Sequence, residues 1–170
     1  MYKRQGVTKQ QTIDLINKIR EKVPGIALRT TLMVGHPGET EEDYRELEDF
    51  VKTMKFERLG VFPYSHEEDT YCDKYYRDDV PEDTKNKRAE KLMALQEGVV
   101  AALNESCVGK RFLVLIDRLE GYYFVGRTQY DSPEVDQEVF VASEKALQIG
   151  EFYEVLITEA GQFELYAKYE

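Results

Sequence analysis

This chain of 170 residues is poor in the side chains that hold metals and perform nucleophilic chemistry, with two cysteines and two histidines. Cys72 and Cys107 lack C-x-x-C spacing, so neither a zinc site nor an iron–sulfur cluster can be assembled from this sequence alone. A disulfide between them is open in principle, although two reduced thiols suit a cytosolic setting better. No Ser/His/Asp or Cys/His arrangement is visible, so no residue is assigned a catalytic role and no metal ligand is expected. Apolar runs stay well short of the ~20 residues of a membrane span, which argues against a membrane partner. The opening MYKRQGVTKQQ has no signal-peptide core, and cytoplasmic localisation is the expectation. Repeats and low-complexity tracts are also missing.

What is present is a soluble composition with a skewed charge. Hydrophobic residues make up 42% and charged residues 33%, enough for one domain or two small ones. The net charge is −10. Residues 107–170 hold six Lys/Arg against twelve Asp/Glu, so −6 of it falls in the last third. Phosphate contacts dominate nucleic-acid affinity, so such a module is a poor RNA binder and is suited to a basic protein.

The apolar pattern divides the chain into two textures. Residues 8–23 read as a helix capped by Thr8, with Ile13, Ile16, Ile19 and Val23 on one face and Pro24-Gly25 as its stop. A buried strand follows over 26–34, then a glycine-bearing turn. A second helix spans about 40–55 behind Thr40, with Tyr44, Leu47, Val51 and Met54 as its buried stripe. Arg58–Tyr64 is another strand, so helices and strands alternate as in βα repeats. The segment from Ser65 to Asp79 is polar and irregular. Pro81 opens a long helix to about Glu105, expected to be mostly solvated and to join two bodies. Five short β-branched or aromatic runs then follow: Phe112–Asp117, Tyr122–Thr128, Glu138–Ala142, Phe152–Thr158 and Phe163–Tyr169. Their number and spacing predict a small closed OB-like barrel. The boundary is placed near Asn104, giving segments 1–103 and 104–170.

Two stretches hold the candidate site residues. In TTLMVGHPGET (Thr30–Thr40) a strand runs through Gly35, His36, Pro37, Gly38 and Glu39 into a helix, the geometry where α/β proteins place ligands. Phe62–Thr70 should lie beside it, bringing Tyr64 and Ser65 to the same rim. Glu39 is either a ligand for hydroxyl or amino groups or a helix-capping residue. His36 is either an acid–base group or a packing residue, and His66 shows no partner. In GRTQYDSPEVD (Gly126–Asp136) the carboxylates Asp131, Glu134 and Asp136 crowd a loop pinned by Pro133. They are too few for a hard cation, leaving recognition of a basic partner or a solvated acidic loop.

These motifs resemble those of the radical S-adenosylmethionine methylthiotransferases. MVGHPGETEEDYRELEDFV is similar to the I-V-G-F-P-G-E-T-x-x-D-F segment closing their fifth barrel strand, and FPYSHEEDT to the F-x-Y-S-x-x-x-G-T segment at the sixth. The long helix ending in Val108-Gly109-Lys110 resembles the passage into their C-terminal TRAM barrel. GRTQYDSPEVD resembles the G-R-(T/S)-x-x-D-(A/S)-P-E-(I/V)-D of the branch that modifies an aspartate of a basic small-subunit ribosomal protein, S-twelve. The sequence departs from the pattern at Gln5, where an arginine is usual, at Asp69 in place of glycine, and at Cys72 in place of alanine.

The resemblance implies an α/β plus β protein: the C-terminal part of a radical S-adenosylmethionine (β/α) barrel followed by a five-stranded TRAM β-barrel. It implies S-adenosylmethionine bound by Gly35, Pro37, Gly38, Glu39, Tyr64 and Ser65, and substrate recognition by Arg127, Asp131, Glu134 and Asp136. Two [4Fe–4S] clusters belong to the full-length enzyme, and their cysteine loops lie outside this sequence. The polypeptide alone is therefore expected to be inactive. The rival expectations are a tRNA methylthiotransferase, against which the acidic barrel argues, and a non-catalytic binding module that shares the fold.

Overall fold

The computed structural model describes residues 6–170, so the Gln5 position lies outside the described residues. The chain separates into two compact units, one running to Leu92 and the other from Met93 to Glu170.

The first unit contains helix α1 (Lys9–Lys22), strand β1 (Arg29–Val34), helix α2 (Glu41–Met54), strand β2 (Arg58–Pro63), the short helix α3 (Tyr71–Tyr75) and the first half of helix α4 (Glu82–Glu105). Thr8 and Thr40 cap α1 and α2 through reciprocal bonds with Gln11 and Asp43, so the two expected N-termini stand where the Thr-x-x-(Gln/Asp) pattern puts them. Acidic Glu41, Glu42 and Asp43 fill the first turn of α2, where the positive end of the helix dipole favours them. Strands β1 and β2 pair in parallel from Arg29↔Arg58 to Val34↔Pro63, with α2 as the crossover between them. Ile16, Met54 and Phe56 form a core cluster against which Ile13, Leu28, Phe50 and Leu59 pack.

Several local expectations need correction. Val23, expected on the buried stripe of α1, is its C-cap and is exposed. Strand β1 is half-buried rather than buried: Thr31 and Met33 alternate outward, because helical partners cover one face of a two-stranded sheet. In α2, Glu48 is buried where Leu47 is only partly so; Lys91 meets its carboxylate at 2.8 Å and makes that burial tolerable. The segment after β2 is not wholly irregular, since Thr70 caps α3 by accepting from the Asp73 N–H. Helix α4 is more than a solvated connector: Lys85, Arg88, Ala89, Leu92, Gln96 and Asn104 along it are all buried.

The second unit holds the end of α4 and strands β3 (Arg111–Glu120), β4 (Tyr123–Thr128), β5 (Glu138–Ala142), β6 (Phe152–Ala160) and β7 (Glu164–Lys168). They close into a barrel in the order β3-β4-β5-β7-β6, as the five runs predicted. All neighbours are antiparallel except β5 and β7. Alternate residues point inward, and Val114, Ile116, Val139, Val141, Val155, Ile157 and Leu165 fill the interior at essentially zero exposure. Gly126 sits where a Cβ would meet the carbonyl oxygen of Leu115, so β3 and β4 approach closely only because that residue is glycine.

Candidate functional site

The parallel register places the ends of β1 and β2 level, and the Tyr64 N–H donates to the Val34 carbonyl at 2.8 Å. The turn after β1 and the residues after β2 therefore lie side by side, as expected of adjacent strand ends. Gly35 and Gly38 carry φ of 74° and 80°, in the left-handed region that favours glycine. Three backbone donors of this turn are spent within the protein rather than offered to an anion. Gly35 N–H donates to Glu39 Oε1 at 2.9 Å, Gly38 N–H to Asp79 Oδ1 at 2.8 Å, and Glu39 N–H to the His36 carbonyl at 2.8 Å. Glu39 Oε1 also receives Arg88 Nη1 at 2.7 Å, so this carboxylate is committed to holding the turn against α4.

Gly35, Pro37 and Tyr64 are buried, whereas Gly38 and Ser65 are exposed. Ser65 Oγ donates to Glu67 Oε1 at 2.7 Å. Lys85 Nζ lies 5.2 Å from the centre of the Tyr64 ring and reaches Asp78 Oδ2 at 2.5 Å. Burial raises the Tyr64 hydroxyl above its ordinary range, and the neighbouring Cys72 adds to the rise. His66, without a visible partner in the sequence, accepts at Nδ1 from the Tyr64 hydroxyl at 3.3 Å and donates from Nε2 to Asp73 at 3.1 Å.

A Cys/His contact, invisible in the sequence, also forms here. His36 packs on Tyr64 with ring centroids 5.3 Å apart and donates from Nδ1 to the Pro37 carbonyl at 3.1 Å. That tautomer leaves Nε2 to accept from the Cys72 thiol at 3.6 Å. The two residues are 36 positions apart, and α3, which carries Cys72, was the element the sequence pattern did not reveal. Among the described residues no group of three or more His, Cys, Asp or Glu is arranged to hold a metal ion.

On the barrel, the four candidate recognition residues divide. Asp131 is buried, and its carboxylate accepts from Thr128 Oγ1 at 2.5 Å, so it shapes the loop from within. Arg127 pairs with Asp117 at 2.8 Å. Asp136 accepts from the Ser132 N–H at 2.7 Å, closing the turn over Pro133, and Glu134 stands exposed at a φ of 62°. Arg127, Glu134 and Asp136 line a cleft of about 230 Å³. This surface carries Glu138 as well, bound by Arg118, a pair that the sequence reading did not single out.

Residues 108–169 match the TRAM domain. Across 165 residues, 96% of the chain, the sequence is 55% identical to the protein of Phocaeicola vulgatus named ribosomal protein uS12 methylthiotransferase RimO. It is 55% identical over 167 residues to the protein of that name in Porphyromonas gingivalis and 50% identical over 167 residues to that in Cytophaga hutchinsonii, each match taking in 97% of the chain. In all three cases the match covers 38% of the relative, so the chain spans under two fifths of the length of these proteins.

Proposed function

We propose that the chain, 55% identical over nearly its whole length to proteins named RimO, is the C-terminal part of a methylthiotransferase acting on a basic small-subunit ribosomal protein, S-twelve. The reaction is the attachment of a methylthio group to the β-carbon of an aspartate. The observation that carries the choice of substrate is electrostatic. The TRAM barrel lies in a segment with twelve acidic and six basic residues, and Glu134 and Asp136 stand on one of its loops. A basic protein is drawn to such a surface and a polyphosphate is repelled. The same charge argues against the tRNA-modifying, MiaB-like alternative.

The cofactors of the whole enzyme would be S-adenosylmethionine and two [4Fe–4S] clusters. The residues here do not fit a cluster: the two cysteines lie in different units, and no multidentate metal group is found among the described residues. They fit one wall of an S-adenosylmethionine site by shape rather than by donors. Gly38 and Ser65 would face the ligand, while Gly35, Pro37, Glu39 and Tyr64 would set the contour from behind. In this reading the first unit is the closing portion of the radical S-adenosylmethionine barrel, and its exposed Met33↔Phe62 pair would face the barrel interior. The polypeptide alone would be inactive and would reside in the cytoplasm. No helix among the described residues is long and apolar enough to cross a membrane.

The test is competition between ribosomal protein S-twelve and unmodified tRNA for the 170-residue chain across a salt series. Preferential retention of the ribosomal protein supports the reading. Preferential binding of tRNA, with a steep salt slope, overturns it.

A further inference from the structure

The outside of the TRAM barrel carries a groove of about 380 Å³ beside the acidic loop. Phe140 of β5 and Tyr166 of β7, direct partners in the parallel register, form its floor. Their rings stack with centroids 5.5 Å apart and planes 27° from parallel. Tyr123 of β4 braces this floor, its ring meeting the other two edge-on at 6.0 and 6.1 Å. Two residues earlier on each strand, and so on the same face, Glu138 stands opposite Glu164. Glu134 and Asp136 close one side of the groove. Among the described residues its walls hold no lysine or arginine; Arg118 binds Glu138 at 2.5 and 2.9 Å without lining the groove.

Two physical features point to a cationic occupant. Like charges placed directly opposite each other on neighbouring strands are destabilising; Arg118 offsets Glu138, and a cation over Glu164, whose carboxylate accepts from the Phe163 N–H at 3.3 Å, offsets the other partner. Phe140 and Tyr166 line the same groove as these carboxylates, and the quadrupole of a ring attracts a cation within ~6 Å of its centre. The Tyr166 hydroxyl reports the same field: burial, then the negative charges of Glu164 and Glu159, raise it above its ordinary range. A guanidinium suits this arrangement better than an ammonium, because it is planar, stacks on rings and offers donors along its edge.

We propose that this groove is an arginine pocket. A guanidinium from a basic segment of the partner protein lies over the Phe140–Tyr166 floor, and its edge donates to Glu164 and Glu134. The proposal rests on reading the barrel as the module that meets a basic protein, and it adds the face used and the side chain taken.

The test titrates the 170-residue chain with hexa-arginine amide, hexalysine amide and a short single-stranded RNA, followed by backbone and aromatic-carbon NMR. Hexa-arginine is expected to shift the resonances of Phe140, Phe163 and Tyr166 and to bind about fivefold more tightly than hexalysine. Glu164→Gln and Phe140→Leu should each weaken hexa-arginine binding about fivefold, or ~1 kcal/mol. Glu144→Gln, which removes an exposed charge elsewhere on the barrel, should change it less than about twofold. Equal losses in Glu144→Gln and Glu164→Gln, shifts confined to another face, or RNA shifting these rings where hexa-arginine does not would each overturn the arginine pocket. Ribosomal protein S-twelve binding with these rings unmoved would overturn the pocket while sparing the partner reading. Hexa-arginine in the groove without binding of the ribosomal protein would do the reverse.

Discussion

Arg88 and Glu39 meet at 2.7 Å across forty-nine residues of sequence, with only 9% and 11% of their side chains exposed. This pair, together with the Gly35 N–H that shares the same carboxylate oxygen, ties the turn after β1 to α4. Removing one partner strands a buried charge. Arg88→Ala should therefore cost about 3 kcal/mol in urea unfolding of the chain. The double replacement Arg88→Met with Glu39→Gln, whose amide oxygen can still accept from the Gly35 N–H, should recover most of that loss, because no buried charge is left to desolvate. A double variant as unstable as Arg88→Ala would show that the salt bridge is not what holds the turn.

The two glycines of the turn should respond differently to alanine. Both lie at left-handed φ, which costs a side chain ~1–2 kcal/mol. Around Gly38 an added Cβ meets open space, whereas at Gly35 it drives into the buried stem of Lys85. Gly38→Ala should lower stability by about 1 kcal/mol, and Gly35→Ala by at least about 3 kcal/mol once overpacking is added. Thermal melts of the two variants, run side by side, would reveal any reversal of that order.

Stability should fall at both ends of the pH range, through different residues. Burial pulls the Lys85 ammonium down, but Asp78 and Glu82 outweigh it and leave its pKa above the ordinary 10.5. A raised folded-state value means that Lys85 contributes fully below the unfolded pKa and loses its contribution as pH rises through the folded one. Glu48 is the reverse case. The hydrogen bond from Lys91 holds it below the ordinary 4.5 despite burial, so its contribution is present above that value and lost as pH falls through the folded one. Urea midpoints measured from about pH 3 to about pH 11 should show Glu48→Gln flattening the acid limb and Lys85→Met the alkaline limb.

In the barrel, Gly126→Ala should be more damaging than any charge change on the neighbouring loop. Its Cβ would collide with backbone, which cannot swing aside as a side chain can. A loss of at least about 3 kcal/mol is expected. Asp131→Ala, which takes the acceptor from the buried Thr128 O–H while the Tyr130 N–H still donates to its oxygen, should cost about 2 kcal/mol. Glu134→Gln should fall within about 0.5 kcal/mol of the parent, as exposed positions do. Chemical denaturation that ranked Glu134→Gln alongside Asp131→Ala would place both carboxylates in the same structural role.

Much of the fold was legible because its signals are local. Thr8 and Thr40 announce their helices through capping boxes spanning three residues, and the five barrel strands announce themselves through β-branched and aromatic runs. Helix α3 escaped because five residues leave no room for an apolar period, and Thr70 with Asp73 is a cap without a stripe. The apolar run around Met33 predicts burial, whereas its exposure depends on which face of the sheet is covered.

For the candidate sites the division is sharper. Local sequence by itself determined that a glycine turn ends one strand, that a tyrosine and a serine follow the next, and that an acidic loop interrupts a barrel. Such features depend on residues within a few positions of each other, where backbone geometry and turn chemistry act directly. Tertiary structure alone decided which groups are spent and which are offered. Glu39 is taken by Arg88, Asp131 by Thr128 and Gly38 N–H by Asp79, while Cys72 arrives at His36 and Glu164 at Glu138. Four of these five pairings join residues at least 26 positions apart, and only closure of the fold brings them within reach. A hydrogen bond or ion pair depends on separations of a few ångströms, which composition and spacing do not encode.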